Sequence, residues 1–155
     1  MVGRFRFRLE SLLKLRKSLE QEAQRHLSRS IRQRNEVADR LEELRSRHRS
    51  ALEARRVEPG QPIDLTLWRA IERYLVVLEH RIGLVTEELH QAEAQVEAAR
   101  LALTEAHQQY LMLLRLKERR QAQHESERLR EEASAADELA VLRHGFQIRS
   151  SRGAP

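Results

Sequence analysis

The sequence of 155 residues contains no Cys, only five Gly and three Pro, and few aromatic residues. Without Cys it can form neither a disulfide-stabilised scaffold nor a Cys-ligated zinc module. A compact fold of many short strands needs turn residues, and Gly and Pro are scarcer here than in average proteins. No apolar run reaches the roughly 20 residues that span a bilayer, and the N-terminus lacks the apolar core of a signal peptide. We therefore expect a cytoplasmic helical protein.

One short segment interrupts a composition that is otherwise typical of helices. Residues 57–63 contain Pro59, Gly60 and Pro62, and this combination marks a loop. Asp64, which follows, is suited to cap the N-terminus of a helix. We expect a first helix over residues 1–56, the loop over 57–63, and a second helix that begins at residue 64.

The second helix carries a heptad pattern of apolar residues. Its apolar positions are separated by alternating steps of three and four residues over more than six heptads. Such a seam, with a period of 3.5 residues, predicts a left-handed coiled coil. The seam positions are Trp68, Ile71, Leu75, Leu78, Ile82, Val85, Leu89, Ala92, Val96, Ala99, Leu103, Ala106, Tyr110 and Leu113.

The first helix has a less regular seam that includes polar residues. Its three-four pattern runs through Ala23, Leu27, Ser30, Arg34, Val37, Leu41, Leu44, His48 and Ala51. Before it, Leu12, Leu15, Leu19, Ala23 and Leu27 contain successive steps of four. Two steps of four in a row predict a stutter, which locally unwinds a supercoil.

Two helices joined by a short loop pack antiparallel. Folding the chain about residues 57–63 places residue i opposite residue 120 − i, so the first helix ends opposite about residue 116. The apolar seam of the second helix ends at the same place. We predict an all-α fold: a long antiparallel two-helix coiled-coil hairpin, paired over residues 64–116, with an unpaired C-terminal helical extension over 117–144. We expect a disordered tail over 145–155.

The positive charge of the chain is concentrated towards its N-terminus. Residues 1–60 carry a net charge of +7, whereas residues 61–116 carry −3. Opposite charges on the two helices are typical of a solvated coiled coil with ion pairs between the helices. The surplus of positive charge also suggests a partner with an acidic surface.

No pattern in the sequence points to catalysis or to a cofactor. It contains no glycine-rich phosphate loop, no nucleophile elbow and no His-Glu-x-x-His zinc motif. Glu87 and His90 have the spacing of a di-iron ligand pair, but such sites need two such pairs and two further Glu. We predict that the protein is not an enzyme and has no catalytic, cofactor-binding or metal-binding residues.

The basic and aromatic residues near the N-terminus allow two interpretations. Residues 5–17 alternate apolar side chains with Arg and Lys, as in a helix that lies on a membrane surface. Alternatively, Leu9, Leu12 and Leu13 pack against the second helix. The basic stretch is short and lacks the Asn and small residues that read bases in DNA, so we expect no nucleic-acid partner.

Three motifs resemble the FliJ family of flagellar type III export proteins. Residues 5–17, FRFRLESLLKLRK, followed by Glu20 or Glu22, resemble the family's opening F-x-F-x-L-x-x-L-L-x-x-R-x-x-x-E pattern. The second helix is similar at Tyr74-Leu75-x-x-Leu78-Glu79-x-x-Ile82, and its distal part at Glu127-x-x-Arg130-x-Glu132-x-x-x-x-Asp137-Glu138-Leu139-Ala140. The resemblance covers nearly the whole chain.

The resemblance implies a function and partners. Proteins of this family are similar to the gamma-subunit stalk of rotary ATPases, and sit in the pore of the hexameric flagellar export ATPase, FliI. They promote its assembly and activity, link it to the export gate protein FlhA, and handle export chaperones. The implied location is cytoplasmic and peripheral, at the inner face of the cell membrane. The alternative is a generic scaffold or membrane-surface coiled coil, anchored by the basic amphipathic N-terminus.

The resemblance also implies two groups of contact residues. Those for the ATPase ring are Arg8, Leu9, Arg130, Glu132, Asp137, Glu138 and Arg143. Those for the export gate are Leu44, Tyr74 and Leu78. Leu44 and Leu78 are also seam positions, so a plain role in the hairpin core is an equal alternative for both.

Overall fold

The computed structural model describes residues 3–153. Within that range the regular elements are two helices, α1 (Glu10–Arg55) and α2 (Leu65–Arg152), joined by residues 56–64. Ion pairs between Arg40 and Glu88 and between Arg55 and Glu72 show that the helices run antiparallel. The predicted all-α hairpin is therefore confirmed.

The chain divides into two compact units. Among the described residues, unit 1 combines residues 3–18 with residues 107–153, and unit 2 contains residues 19–106 with the loop. Each unit thus takes one piece from each side of the hairpin.

In unit 2 the heptad seam forms the core. Leu75, Leu78, Ala92, Val96 and Ala99 of α2 are buried, and the other predicted seam positions from 71 to 106 are at least half-buried. Trp68, the first predicted seam position, is exposed instead. On α1, every predicted seam position from 23 to 51 is buried or half-buried. The three-four spacing therefore identified the packing faces of both helices.

The predicted stutter in α1 is wrong. The three-four pattern continues towards the N-terminus through Glu20 and Arg16 to Leu13, which is buried. Leu15 and Leu19, which a stutter would place in the seam, are exposed. The helix keeps its packing face because the long stems of Glu and Arg can cover apolar surface while their charged ends stay solvated.

The predicted register is wrong by one heptad. Arg55 pairs with Glu72 and His48 with Glu79, so residue i lies opposite about residue 127 − i rather than 120 − i. Arg55 is the last residue of α1 and pairs with Glu72, so the first seven residues of α2, 65–71, come before the position that pairs with the end of α1. A shift of seven residues leaves the same seam facing the partner helix, so the apolar pattern does not exclude it.

The predicted cap of α2 is confirmed. The Asp64 carboxylate accepts hydrogen bonds from the backbone N–H groups of Thr66 and Leu67, at 3.0 and 3.2 Å. Gly60 in the loop has a φ of 89°, in the left-handed region that residues other than Gly rarely adopt. These two residues fix the turn and the start of the second helix.

The C-terminal end of α2 differs from the predicted one. The helix continues through Gly145 to Arg152, whereas the sequence predicted its end at residue 144 and a disordered tail. Gly145 has no positive φ, and a Gly inside a helix costs only about 1 kcal/mol relative to Ala. Ala154 and Pro155, at the end of the predicted tail, lie outside the described residues.

The start of α1 also differs from the prediction, because residues 3–9 are not helical. Phe5 and Phe7 are half-buried and buried, while the alternating arginines are exposed. A helix would place Phe5 and Phe7 about 200° apart, so it could not direct both rings to α2. A two-residue period is typical of extended backbone and lets both rings face the same way. Met1 and Val2 lie outside the described residues.

Replacing Leu78 by Ala tests the seam as the source of stability. Leu78 is 0 % exposed and packs with Ala51 and Leu75. We expect Leu78→Ala to lower the free energy of unfolding by about 2–5 kcal/mol in urea titrations followed by circular dichroism. Leu101→Ala is the matched control, since Leu101 is 65 % exposed on the same helix, and should change stability by less than about 0.5 kcal/mol. Equal effects of the two substitutions would contradict this account of the core.

Candidate partner-binding surfaces

The aromatic residues of the N-terminal segment, residues 3–9, pack on α2 within unit 1. The guanidinium of Arg120 lies 5.9 Å from the centre of the Phe7 ring, a cation–π contact. The Phe5 ring lies 5.5 Å from the imidazole ring of His124. Phe7 is only 8 % exposed, so the N-terminal segment continues the packing of the hairpin without being helical.

Polar contacts also join residues 3–16 to α2 within unit 1. The His124 imidazole donates a hydrogen bond from Nε2 to the Gly3 carbonyl oxygen at 2.8 Å, and Lys117 pairs with Glu10 at 2.9 Å. Arg16 donates a hydrogen bond to the side-chain oxygen of Gln109. Pairing on α2 therefore reaches residue 124, whereas the sequence predicted that it would stop at about residue 116.

This packing covers the apolar side chains of residues 5–17 that a membrane anchor would insert, except Leu15, which is exposed. Phe7 and Leu13 are buried, and Phe5, Leu9 and Leu12 are half-buried. The packing interpretation of residues 5–17 therefore agrees with the structure. Along the N-terminal segment, the exposed side chains are mainly the arginines at positions 4, 6 and 8.

Beyond residue 124, α2 forms an exposed helical extension. Every residue from 125 to 152 is exposed to solvent. Five of the residues that the family resemblance assigned to the ATPase ring lie here: Arg130, Glu132, Asp137, Glu138 and Arg143. The other two, Arg8 and Leu9, lie on the N-terminal segment, where Arg8 is exposed and Leu9 is half-buried.

Ion pairs along the extension stabilise its first turns. Arg128 donates to Glu125 at 2.6 Å and to Glu132 at 2.7 Å, which are the i−3 and i+4 positions. The hydrogen bond from Arg128 holds the pKa of Glu125 below its ordinary value. Pairs at these spacings support an exposed helix that has no packed face.

The extension also exposes large apolar side chains, part of which the sequence analysis missed. Leu139, Leu142 and Phe146 follow the three-four spacing, and Phe146 is 76 % exposed. Exposed Ile148 lies two residues further on. Phe146 and Ile148 fell in the predicted disordered tail, although the spacing of Phe146 from Leu142 continues the helical pattern.

The residues implied for the export gate lie in unit 2, and the structure places them differently from one another. Leu78 is completely buried and forms a cluster with Ala51 and Leu75. Half-buried Leu44 packs against this cluster. Tyr74 is 45 % exposed. Of the three, Tyr74 has the most side-chain surface available to a partner.

Within residues 3–153, no group of three His, Asp or Glu side chains could hold a metal ion. His90 lies near Glu93 on the exposed side of α2, at 3.8 Å. None of the helical stretches in that range is long and apolar enough to cross a membrane.

Comparison with known proteins identifies a matching family. A family model described as "Flagellar FliJ protein" matches residues 5–148, which include the N-terminal segment, both helices and most of the extension. No curated protein matches the sequence, and no solved structure matches it either.

The ion pairs of Arg128 give a prediction for titration. In Arg128→Gln, the pKa of Glu125 should rise towards its ordinary value, because its hydrogen bond to a cation is lost. In the unchanged chain, this pair stabilises the helix only while Glu125 is ionised, so its contribution is lost as the pH falls through the lowered pKa. NMR titration of the Glu side-chain carbons measures the pKa of Glu125, and circular dichroism over the same pH range measures the helix content. Arg130→Gln is the control, and a Glu125 pKa that is the same in both variants would refute the assignment.

Proposed function

Because this chain belongs to the flagellar FliJ family, we propose that it is a coiled-coil stalk that binds in the pore of the hexameric export ATPase, FliI. Membership identifies it as a flagellar export-associated protein, in a family of non-catalytic export components. The observation that carries the finer proposal is the extension, in which α2 continues over residues 125–152 with every side chain exposed.

The physics of an exposed single helix supports a partner for the extension. An isolated helix is marginally stable in water, since most helical stability in proteins comes from packing one face. The extension has no such packing, yet it exposes Leu139, Leu142 and Phe146. A ring that encloses the extension would bury these side chains and stabilise the helix.

The proposed role requires no active site. By filling the pore, the chain would promote assembly of the ATPase ring and its activity. It would also couple the ring to the export gate protein FlhA and to export chaperones, through unit 2. Its location would be cytoplasmic and peripheral, at the inner face of the cell membrane.

The alternative function is a scaffold or membrane-surface coiled coil anchored by the N-terminus. It would need the apolar side chains of residues 5–17 to be available to lipid. Since Phe7 and Leu13 are buried against the hairpin, we favour the stalk over this alternative.

Truncation of the chain after His124 tests the proposal. Because no side chain from 125 to 152 is buried, the truncated chain should keep the melting temperature of the full chain. We expect it to lose stimulation of the export ATPase, measured as phosphate release, and to lose promotion of the hexamer, measured by light scattering. The full chain at equal concentration is the reference.

Two outcomes of this experiment would contradict different parts of the proposal. Full stimulation by the truncated chain would move the ring-binding surface away from the extension. Absence of stimulation by the correctly folded full chain would refute the stalk function itself.

Tyr74 gives a separate test of the link to the gate. Tyr74→Ala should weaken binding to the cytosolic domain of FlhA by about fivefold or more, because exposed aromatic residues often dominate interfaces. Val76→Ala, at a neighbouring exposed position, is the control and should bind as the unchanged chain does. Isothermal titration calorimetry measures both affinities. If the two variants bind equally well, Tyr74 is not part of the gate contact.

A further inference from the structure

The positive charge of the protein is confined to one part of unit 1. Residues 3–18 and 107–124 contain ten basic and two acidic side chains, a net charge of +8, although the whole chain carries only +5. Residues 19–106 and 125–155 are both slightly acidic in total. We call the Arg and Lys side chains of residues 3–18 and 107–124 the basic cluster.

Most of the basic cluster is not neutralised within the protein. Lys117 pairs with Glu10. In contrast, the arginines at positions 4, 6, 8, 115 and 119 are exposed and form no ion pair with any of the residues from 3 to 153. A concentration of like charges this large destabilises a folded protein by self-repulsion, which a partner of opposite charge relieves.

The charges of the basic cluster lie on opposite sides of the paired chain. Lys117 contacts Glu10 at the start of α1, and Arg120 contacts Phe7 of the N-terminal segment. These contacts identify the face of α2 that residues 3–10 cover. Arg115 and Arg119 lie two residues either side of Lys117, about 160° around the helix, and so face away from it. On the other side, the exposed Arg4, Arg6 and Arg8 alternate with the phenylalanines that face α2.

We propose that the basic cluster is enclosed by a partner protein that presents carboxylates to both of these sides. The inference rests on the proposed function, in which the pore of the ATPase ring is that partner, and it specifies the chemistry of the pore lining. Seven of the ten basic residues are Arg, whose planar guanidinium binds carboxylates through two parallel hydrogen bonds.

A flat anionic membrane fits these observations less well. It would reach only one side of the paired chain and leave the charges of the other side in solution. The Phe side chains that would enter its apolar layer are packed on α2 instead. An enclosing protein can contact both sides at once.

Three double variants, each changing the net charge by −4, test the proposal in the full-length chain. Arg4→Glu with Arg8→Glu alters one side of the basic cluster, and Arg115→Glu with Arg119→Glu alters the other. Arg32→Glu with Arg45→Glu is the matched control, since both residues are exposed in unit 2 and form no ion pair among the described residues. Circular dichroism verifies that each variant is folded.

Binding to the purified export ATPase is measured from about 50 to 300 mM salt. We expect both cluster variants to bind about tenfold or more weakly at the lowest salt, and with a smaller salt dependence, because like charges now face each other. The control should stay within about twofold of the unchanged chain. If only one cluster variant binds the ATPase more weakly, enclosure on both sides is overturned. If neither does, the acidic partner is overturned, while the stalk function stays intact.

If the unchanged chain does not bind the ATPase, the proposed function fails, and the chemistry of the basic cluster is decided with simple probes. Polyglutamate, phosphatidylserine vesicles and single-stranded RNA are compared at equal salt. Binding to polyglutamate that both cluster variants lose, and the control keeps, would support a carboxylate-bearing partner. Tighter binding to the vesicles or to the RNA would overturn it in favour of a lipid surface or a nucleic acid.

Discussion

The structure depends on one constraint, that the apolar seam of α2 stays covered by the chain that runs antiparallel to it. In unit 2 the cover is α1, and Leu78 and Val96 are buried beneath it. In unit 1, beyond the end of the apolar seam, the cover changes from helix to the non-helical N-terminal segment, which packs Phe7 against Arg120 of α2. This cover ends at His124, and every residue of α2 after it is exposed.

Polar residues within the seam determine how the two chains are aligned. Arg16 of the seam contacts Gln109, and Arg40 beside the seam pairs with Glu88. A shift of seven residues would place Arg16 opposite Ala102 and Arg40 opposite Arg81. An apolar seam repeats every heptad and tolerates a shift of seven residues, whereas a polar pair in the seam is satisfied in one register. These contacts explain why the observed register differs by one heptad from the one expected from the loop alone.

The sequence predicted the features that many residues specify together and missed those that depend on a single tertiary contact. Repetition over six heptads identified the packing face of α2, and the position of Asp64 identified its cap. The conformation of the N-terminal segment depends on Phe5 and Phe7 reaching α2, which no helical periodicity encodes. Among the implied contact residues, the seam pattern gave a core role as an equal alternative for Leu78, and the structure buries it completely. The accessibility of Tyr74 could not be derived from the pattern.

The basic cluster and the extension would act on a partner over different distances. Each therefore has a different role in the proposed complex. Charge acts over a Debye length of about 8–10 Å at physiological salt, so a net charge of +8 attracts an acidic pore before any contact forms. The extension is nearly neutral in total and cannot be attracted over that distance. Its exposed Leu142 and Phe146 act only on contact, by removing apolar surface from water. In such a complex, the basic cluster accelerates association and selects the partner, while the extension slows dissociation.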